Sequence, residues 1–390
     1  MRITLLICVP KAGVGGHYHS LRVTAETLAS AGHDVSVVSI GYQQSHVLMT
    51  LPERISHQHI QLSWPMGLLP LRRGIDAVRL TRPDVVHAFD VHAYLFARIA
   101  AAKLHIPAIL TKCGGPKPRT YFPRGEHLIV YSGEDRRYFS GKWNNIHLLP
   151  NRVTPFSFDE TLMQGLESRI PRTYSLRLMR ISRIGDYYEK TLRDTMNLLD
   201  ALRSRNIDAC LVVIGAVYES RAFARLRNAA SEHVIFVTDP QYTHDAKRVL
   251  GFADIVVGTG RSLMEAAVAG RAVLAPVRDL EVPVLVTQNN IDTFLDNNFS
   301  ERTSFAKKQE DAIDEIAALS DREALRTAQD NGRALAVRYF LMSEALPALE
   351  AIYTDAQAPD RKQLLDTALH AAEYCYRLSK AWIRRKVETL

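Results

Sequence analysis

Residues Arg261–Leu274 read RSLMEAAVAGRAVL. They follow a strand-like run, Ala253-Asp254-Ile255-Val256-Val257, and a short glycine loop, Gly258-Thr259-Gly260. The stretch opens a helix with one carboxylate, Glu265, near its first turn. Gly270 ends that helix, and Ala272-Val273-Leu274-Ala275 returns to a strand. Strand, glycine loop, helix and strand in succession is one winding of a doubly wound α/β fold. A helix N-terminus behind a glycine loop attracts a phosphate through its unpaired N–H groups and macrodipole. A carboxylate one turn further in can accept hydrogen bonds from ribose hydroxyls. Phosphate and ribose together imply a nucleotide.

The same alternation runs through the whole chain. Ile3–Val9, Asp34–Ile40, His59–Leu62, Val85–Phe89, Ala108–Thr111, Leu128–Tyr131 and Ile146–Leu149 read as strands, with helices at His19–Ala31, Leu71–Leu80 and Ala93–Leu104. Residues 154–174 are polar and carry Pro155 and Pro171, which suits a linker. The pattern restarts with strands at Leu176–Ile181, Cys210–Ile214, Val234–Val237 and Ile255–Val257, and a helix at Thr191–Ser204. Ala306–Ala351 reads as helical, and Arg361–Val387 as one more amphipathic helix. The expected division is a Rossmann-like domain at 1–160, a second at 172–335, and C-terminal helices at 336–390.

Composition agrees with an ordinary water-soluble α/β protein. The 390 residues suffice for two domains, at 47% hydrophobic and 23% charged. Four scattered cysteines, Cys8, Cys113, Cys210 and Cys375, show no metal spacing and suit a reducing compartment. The opening MRITLLICVP reads as a buried strand rather than a signal peptide. No apolar run approaches the ~20 residues of a membrane helix. The reading therefore places the protein in the cytoplasm, the inner face of the membrane included. Residues 1–160 hold 18 Lys/Arg against 11 Asp/Glu, which accounts for the whole net charge of +7. A basic half suits an anionic neighbour such as a membrane surface, a lipid pyrophosphate or an acidic glycan, and equally a plain solvated face. No nucleic-acid motif accompanies the charge.

The loop Gly13-Val14-Gly15-Gly16 behind the first strand suggests a dinucleotide fingerprint, but two features argue against it. The third glycine would fall at Tyr18, and the second strand ends without the acidic residue that binds a nicotinamide ribose.

Taken together, these motifs resemble the GT-B glycosyltransferases, most closely the retaining enzymes of family 4. The resemblance implies two Rossmann-like domains facing across a cleft, plus C-terminal helices. It implies that Gly15 and Gly16 approach the donor phosphate. Ile181-Ser182-Arg183-Ile184-Gly185 with Lys190 resembles the element that opens the donor domain, where two cations meet a diphosphate. Ile214-Gly215 resembles a strand end that lets backbone approach the donor. Arg261 and Ser262 open the helix whose Glu265 is implied to hold the ribose. Relatives carry two glutamates separated by seven residues; here Val257 occupies the first position. Pro83–Asp90 resembles the strand that points at the acceptor, which makes His87 and Asp90 the catalytic candidates, with His92 beside them. Cys113 stands where many relatives have a histidine, and Lys112 and Lys117 flank that turn as candidate phosphate contacts. Leu148–Val153 resembles the hinge between the domains.

The expected activity is transfer of a sugar, with retention, from a nucleoside diphosphate sugar to a hydroxyl acceptor. UDP ranks ahead of GDP as the nucleotide. No metal and no other cofactor is expected. The partners expected are the nucleotide sugar, a glycan or lipid-linked acceptor of envelope or capsular polysaccharide synthesis, peripheral contact with an anionic membrane, and no nucleic acid. A UDP-sugar 2-epimerase of the same fold and a catalytically silent partner subunit remain as alternatives. The C-terminal segment ends in Lys380-Ala381-Trp382-Ile383-Arg384-Arg385-Lys386 and fits either a membrane surface or packing on the first domain.

Overall fold

The computed structural model describes residues 1–9, 15–62, 68–118, 121–170, 173–358, 366–376 and 379. Lys11–Val14 of the first glycine loop, Pro171, and the basic-aromatic end Lys380–Lys386 lie outside the described residues. The chain divides into two compact units, Met1–Leu149 with Ala345–Leu390, and Pro150–Glu344.

In the first unit, β1 (Arg2–Cys8), β2 (Asp34–Gly41), β3 (Ser56–Gln61), β4 (Val85–Ala88), β5 (Ala108–Lys112), β6 (His127–Val130) and β7 (Asn145–Leu148) form one sheet. Its order is β3-β2-β1-β4-β5-β6-β7, with every pair parallel. Helices cover both faces of such a sheet, so its inner strands are mostly apolar: Leu5, Leu6 and Ile7 of β1 are fully buried. The edge strand β3 is polar, SHQHIQ, and begins three residues before the expected His59. Its His57 and His59 both lie against the Ser39 hydroxyl of β2, at 2.9 and 3.0 Å, so apolar alternation gave no signal there. Residues 366–376 are helical and pack on this unit. Asp366 binds the buried Arg98 guanidinium at 2.7 Å and accepts from the Arg124 N–H at 3.1 Å. Tyr374 stands edge-on to Phe96.

In the second unit, β8 (Leu176–Ile181), β9 (Ala209–Ile214), β10 (Val234–Val237), β11 (Ile255–Val257), β12 (Ala272–Ala275) and β13 (Val284–Leu285) pair in the order β10-β9-β8-β11-β12-β13. Only β13 runs antiparallel. Residues read as a linker belong to this unit and contain the helix Glu160–Glu167. Asp159 caps that helix, accepting from the Leu162 N–H at 2.9 Å, and its Leu166 is fully buried. The first unit accordingly ends at Leu149 rather than at 160. The segment read as one helical run from 306 is broken twice. Asp321 turns extended and caps the helix Arg322–Leu335. Leu341 turns extended and forms a bridge with Val153.

Gly215, at the end of β9, packs against the Ser182 carbonyl, which a Cβ would approach to 1.7 Å. Gly16 has nothing within 4 Å of where its Cβ would stand. Gly215→Ala is expected to destabilise by about 1–3 kcal/mol. Gly16→Ala is expected to be neutral or to stabilise by up to about 1 kcal/mol. Thermal and urea unfolding of both variants checks the contrast, and equal effects would contradict it.

Candidate functional site

Each sheet reverses its strand order beside its first strand, and in open α/β sheets ligands bind outside the carboxyl ends of the strands at that point. In the second unit the reversal falls between β8 and β11. Arg183 follows β8 there, and the loop Gly258–Gly260 follows β11. Gly258 allows the next helix to start against the strand: a Cβ would stand 2.5 Å from the Leu263 nitrogen. Gly260 then takes a left-handed φ of 50° as the N-cap of the helix Arg261–Val268. It has no side chain with which to cap the helix, so the first turn keeps amide donors for an anion.

Within this helix, Glu265 accepts from the Arg261 Nε at 2.9 Å, and Arg261 also donates through Nη1 to the Arg152 carbonyl at 3.2 Å. Arg261 is thereby a brace, holding the carboxylate and the chain entering this unit. Burial raises the Glu265 carboxyl above its ordinary range, and Arg261 and Lys247 pull it back down. The Ser262 hydroxyl lies 3.1 Å from the Thr259 N–H and 3.2 Å from the Thr259 carbonyl, which closes the glycine loop.

Arg183 is exposed, and its guanidinium lies 5.3 Å from the ring centroid of Tyr188 and 5.5 Å from that of Tyr218. Among the described residues no carboxylate pairs with it. Two aromatic faces hold a planar cation while leaving its N–H edge available. Lys190 differs. Its ammonium donates to Asp194 at 2.8 Å and to the Leu280 carbonyl at 3.3 Å, one helical turn beyond the strand end. A lysine already paired by an i,i+4 carboxylate is a weaker diphosphate ligand than Arg183. Gly215 serves the backbone packing described above.

The first unit's reversal lies between β1 and β4, and Asp90 stands across it. Its Oδ2 accepts from the Cys8 N–H at 2.6 Å and its Oδ1 from the Ala93 N–H at 2.8 Å, capping the helix Val91–Leu104. Burial pushes its carboxyl up to about 7, against the pull of those amides. His87 is buried, with Nδ1 2.7 Å from the Tyr353 hydroxyl and Nε2 2.6 Å from the Thr111 hydroxyl. Both ring nitrogens are engaged inside the core, so His87 supports packing here rather than an acceptor hydroxyl. Lys112 likewise leaves the candidate phosphate contacts. Its ammonium is buried on Asp135 at 2.9 Å and on the carbonyls of Gly114 and Gly115. The Cys113 thiol is pushed up to about 12 by burial, which agrees with inert packing. Gly16 begins the helix Gly16–Ser30, and Gly15 is its N-cap at φ −65°, which any residue can adopt. Among the described residues no three His, Cys, Asp or Glu side chains gather as metal ligands. No described helix is long and apolar enough to cross a membrane.

The chain is similar to Alr3699/HepE of Anabaena in complex with UDP and glucose, with a TM-score of 0.64 and 13% identity over 90% of this chain and 99% of that one. The chain has the GT-B fold. A glycosyltransferase of Rickettsia africae gives a TM-score of 0.64 and 14% identity over 91% and 98% of the two chains. A putative UDP-N-acetylglucosamine 2-epimerase of Listeria monocytogenes gives 0.55 and 13% over 92% and 99%. The model described as Glycosyltransferase Family 4 matches residues 14–154. Residues 14–154 thus resemble a glycosyltransferase family 4 domain, within a chain of GT-B fold. No curated protein matches it.

Sequence reading missed Arg180, which is fully buried on β8 of this GT-B protein, and Tyr218, the second ring beside Arg183. A charged residue inside the apolar strand LRLMRI was the available signal for the first. Tyr218 lies far from Arg183 in sequence and comes beside it only through the bridge Ile184–Val217.

The two candidate catalytic groups of the first unit predict opposite pH effects on stability. Burial lowers the His87 imidazole to about 3, so the unfolded chain binds its proton first, and stability is lost as pH falls from about 6.5 toward 3. Asp90 is raised, so the folded chain holds its proton more tightly, and stability is lost as pH rises from about 3.8 to 7. Relative to wild type, His87→Gln should flatten the rise in stability above pH 4, and Asp90→Asn should steepen it, each by at most about 1.4 kcal/mol per pH unit. Denaturant titrations at a series of pH values check this; parallel profiles for all three proteins would refute it.

Proposed function

We propose that this glycosyltransferase moves a sugar from a nucleoside diphosphate sugar, UDP ahead of GDP, to a hydroxyl of a glycan or lipid-linked acceptor. The observation that carries the reading is the meeting, at one sheet reversal, of the uncompensated Arg183 with the glycine loop and the Glu265 helix. Arg183 and the amides of the first helical turn would hold the diphosphate and stabilise the charge it gains on leaving. Glu265, oriented by Arg261, would accept from the ribose hydroxyls. With retention, the bond from the anomeric carbon to the diphosphate breaks and the acceptor oxygen bonds to that carbon on the same face. The acceptor proton passes to an oxygen of the departing diphosphate. The reading uses protein cations in place of a metal ion. UDP in the HepE complex supports UDP as the first nucleotide to try.

The excess of basic residues in 1–160 supports an anionic acceptor, with the enzyme working at the cytoplasmic face of a membrane in envelope or capsular polysaccharide synthesis. The epimerase reading draws on the Listeria neighbour. It predicts interconversion of a UDP-sugar with no acceptor present.

Calorimetric titration with UDP, GDP and ADP tests the donor site. Wild type is expected to bind one of them, and Glu265→Ala and Arg183→Ala are each expected to weaken it about tenfold or more, or about 1.4 kcal/mol. A folded wild type that binds none of the three would overturn the reading.

A further inference from the structure

Arg180 is the largest of the fully buried side chains, and it carries a charge. Its Nη1 donates to the Val257 carbonyl at 3.1 Å and its Nη2 to the Thr191 hydroxyl at 3.1 Å. Its Nε is buried with no hydrogen-bond partner. Among the described residues no carboxylate touches it; Glu301 and Asp194 act on it only through space. A buried cation without a contact counter-ion is costly, and a hydrophobic side chain of similar size would normally serve a core better.

Its place in the fold explains why the charge is kept. Arg180 is the penultimate residue of β8, in register with Val257, the last residue of β11. The guanidinium therefore lies under the sheet reversal, joined to both segments of the candidate site. One bond reaches the carbonyl that immediately precedes the glycine loop. The other reaches Thr191, whose hydroxyl donates to the Tyr188 carbonyl at 3.1 Å. Tyr188 is one of the two rings that hold Arg183. Val257 also stands where the family 4 resemblance implies a glutamate. Among the described residues the cation there has no carboxylate in contact, and only Glu301 and Asp194, acting through space, offset its charge.

We infer that Arg180 is a positioning residue for the diphosphate: a buried charge that braces the glycine loop and the Tyr188–Arg183 stack and attracts the anionic part of the nucleotide from beneath. The inference rests on the donor-site reading above. It predicts selectivity for charge, because a field of this kind acts on the diphosphate and leaves the nucleoside untouched.

The test compares UDP, by calorimetry, with uridine, by ligand-observed NMR titration, on wild type, Arg180→Met, Arg180→Lys and Thr191→Val. Arg180→Met should remain folded, weaken UDP tenfold or more, and change uridine less than twofold. Arg180→Lys should recover most of the UDP affinity. Thr191→Val keeps the charge and releases one anchor, and should weaken UDP several-fold with uridine unchanged; it decides the matter if the Met variant does not fold. Equal losses for UDP and uridine would make Arg180 a purely structural residue, and unchanged UDP affinity in Arg180→Met would remove it from the site. Wild type that binds neither ligand would overturn the donor-site reading itself, and this inference with it.

Discussion

The absence of a side chain at Gly258 is the constraint on which the second unit's site depends. With a Cβ 2.5 Å from the Leu263 nitrogen, the helix Arg261–Val268 would have to move off the end of β11. Because it does not, three things follow. The first amides of the helix lie directly outside the strand end. Glu265 comes to one side of the sheet reversal, one turn in. Ser262 falls within reach of Thr259 and closes the loop. Gly215 works the same way on the other side of β8, where its lack of a Cβ lets Ser182 approach and Arg183 emerge next to Tyr218. Two steric allowances thus set the spacing between the cation and the helix that a diphosphate would bridge.

Polar groups placed inside the protein divide by whether they are satisfied. In the first unit, Lys112 has a carboxylate and two carbonyls, His87 has two hydroxyls, and Asp90 has two backbone amides. Each such group is retained because its partners are complete, and each stiffens the junction where it sits. Arg180 is the contrasting case, with two neutral acceptors, a buried Nε without a partner and, among the described residues, no contact anion. Completeness points to structure in the first group, and its absence points to a ligand in the second.

The alternation of apolar strands and amphipathic helices made both sheets legible, because parallel strands buried on both faces are nearly continuous apolar runs. The placement of Arg183 and of the loop Gly258–Gly260 with its Glu265 helix at strand ends was legible for a related reason: a strand end followed by glycine is a local pattern. What stayed hidden was non-local or polar. The first three residues of the edge strand β3, ahead of the expected His59, are polar, with His57 turned onto the Ser39 hydroxyl, so they lack alternation. The helix Glu160–Glu167 was masked by its polar flanks and by Pro155 and Pro171, although Asp159 is an ordinary cap. His87 looked catalytic because a histidine at a strand end carries no sign of what it faces. Its partner Tyr353 comes from a helix more than two hundred residues later in the chain.

Position 257, where the family 4 resemblance implies a glutamate, holds valine, and this bears on what the proposed site can recognise. A glutamate there would offer two acceptors to sugar hydroxyls and would also neutralise a nearby guanidinium. Valine does neither: its side chain is buried, and its carbonyl accepts from Arg180. The proposed donor site would then keep its elements for phosphate and ribose and offer no side-chain acceptor at position 257 for the sugar. Recognition of the transferred sugar must then rest on other groups. A donor whose sugar itself bears a negative charge would meet less repulsion here than in a site that retains both carboxylates.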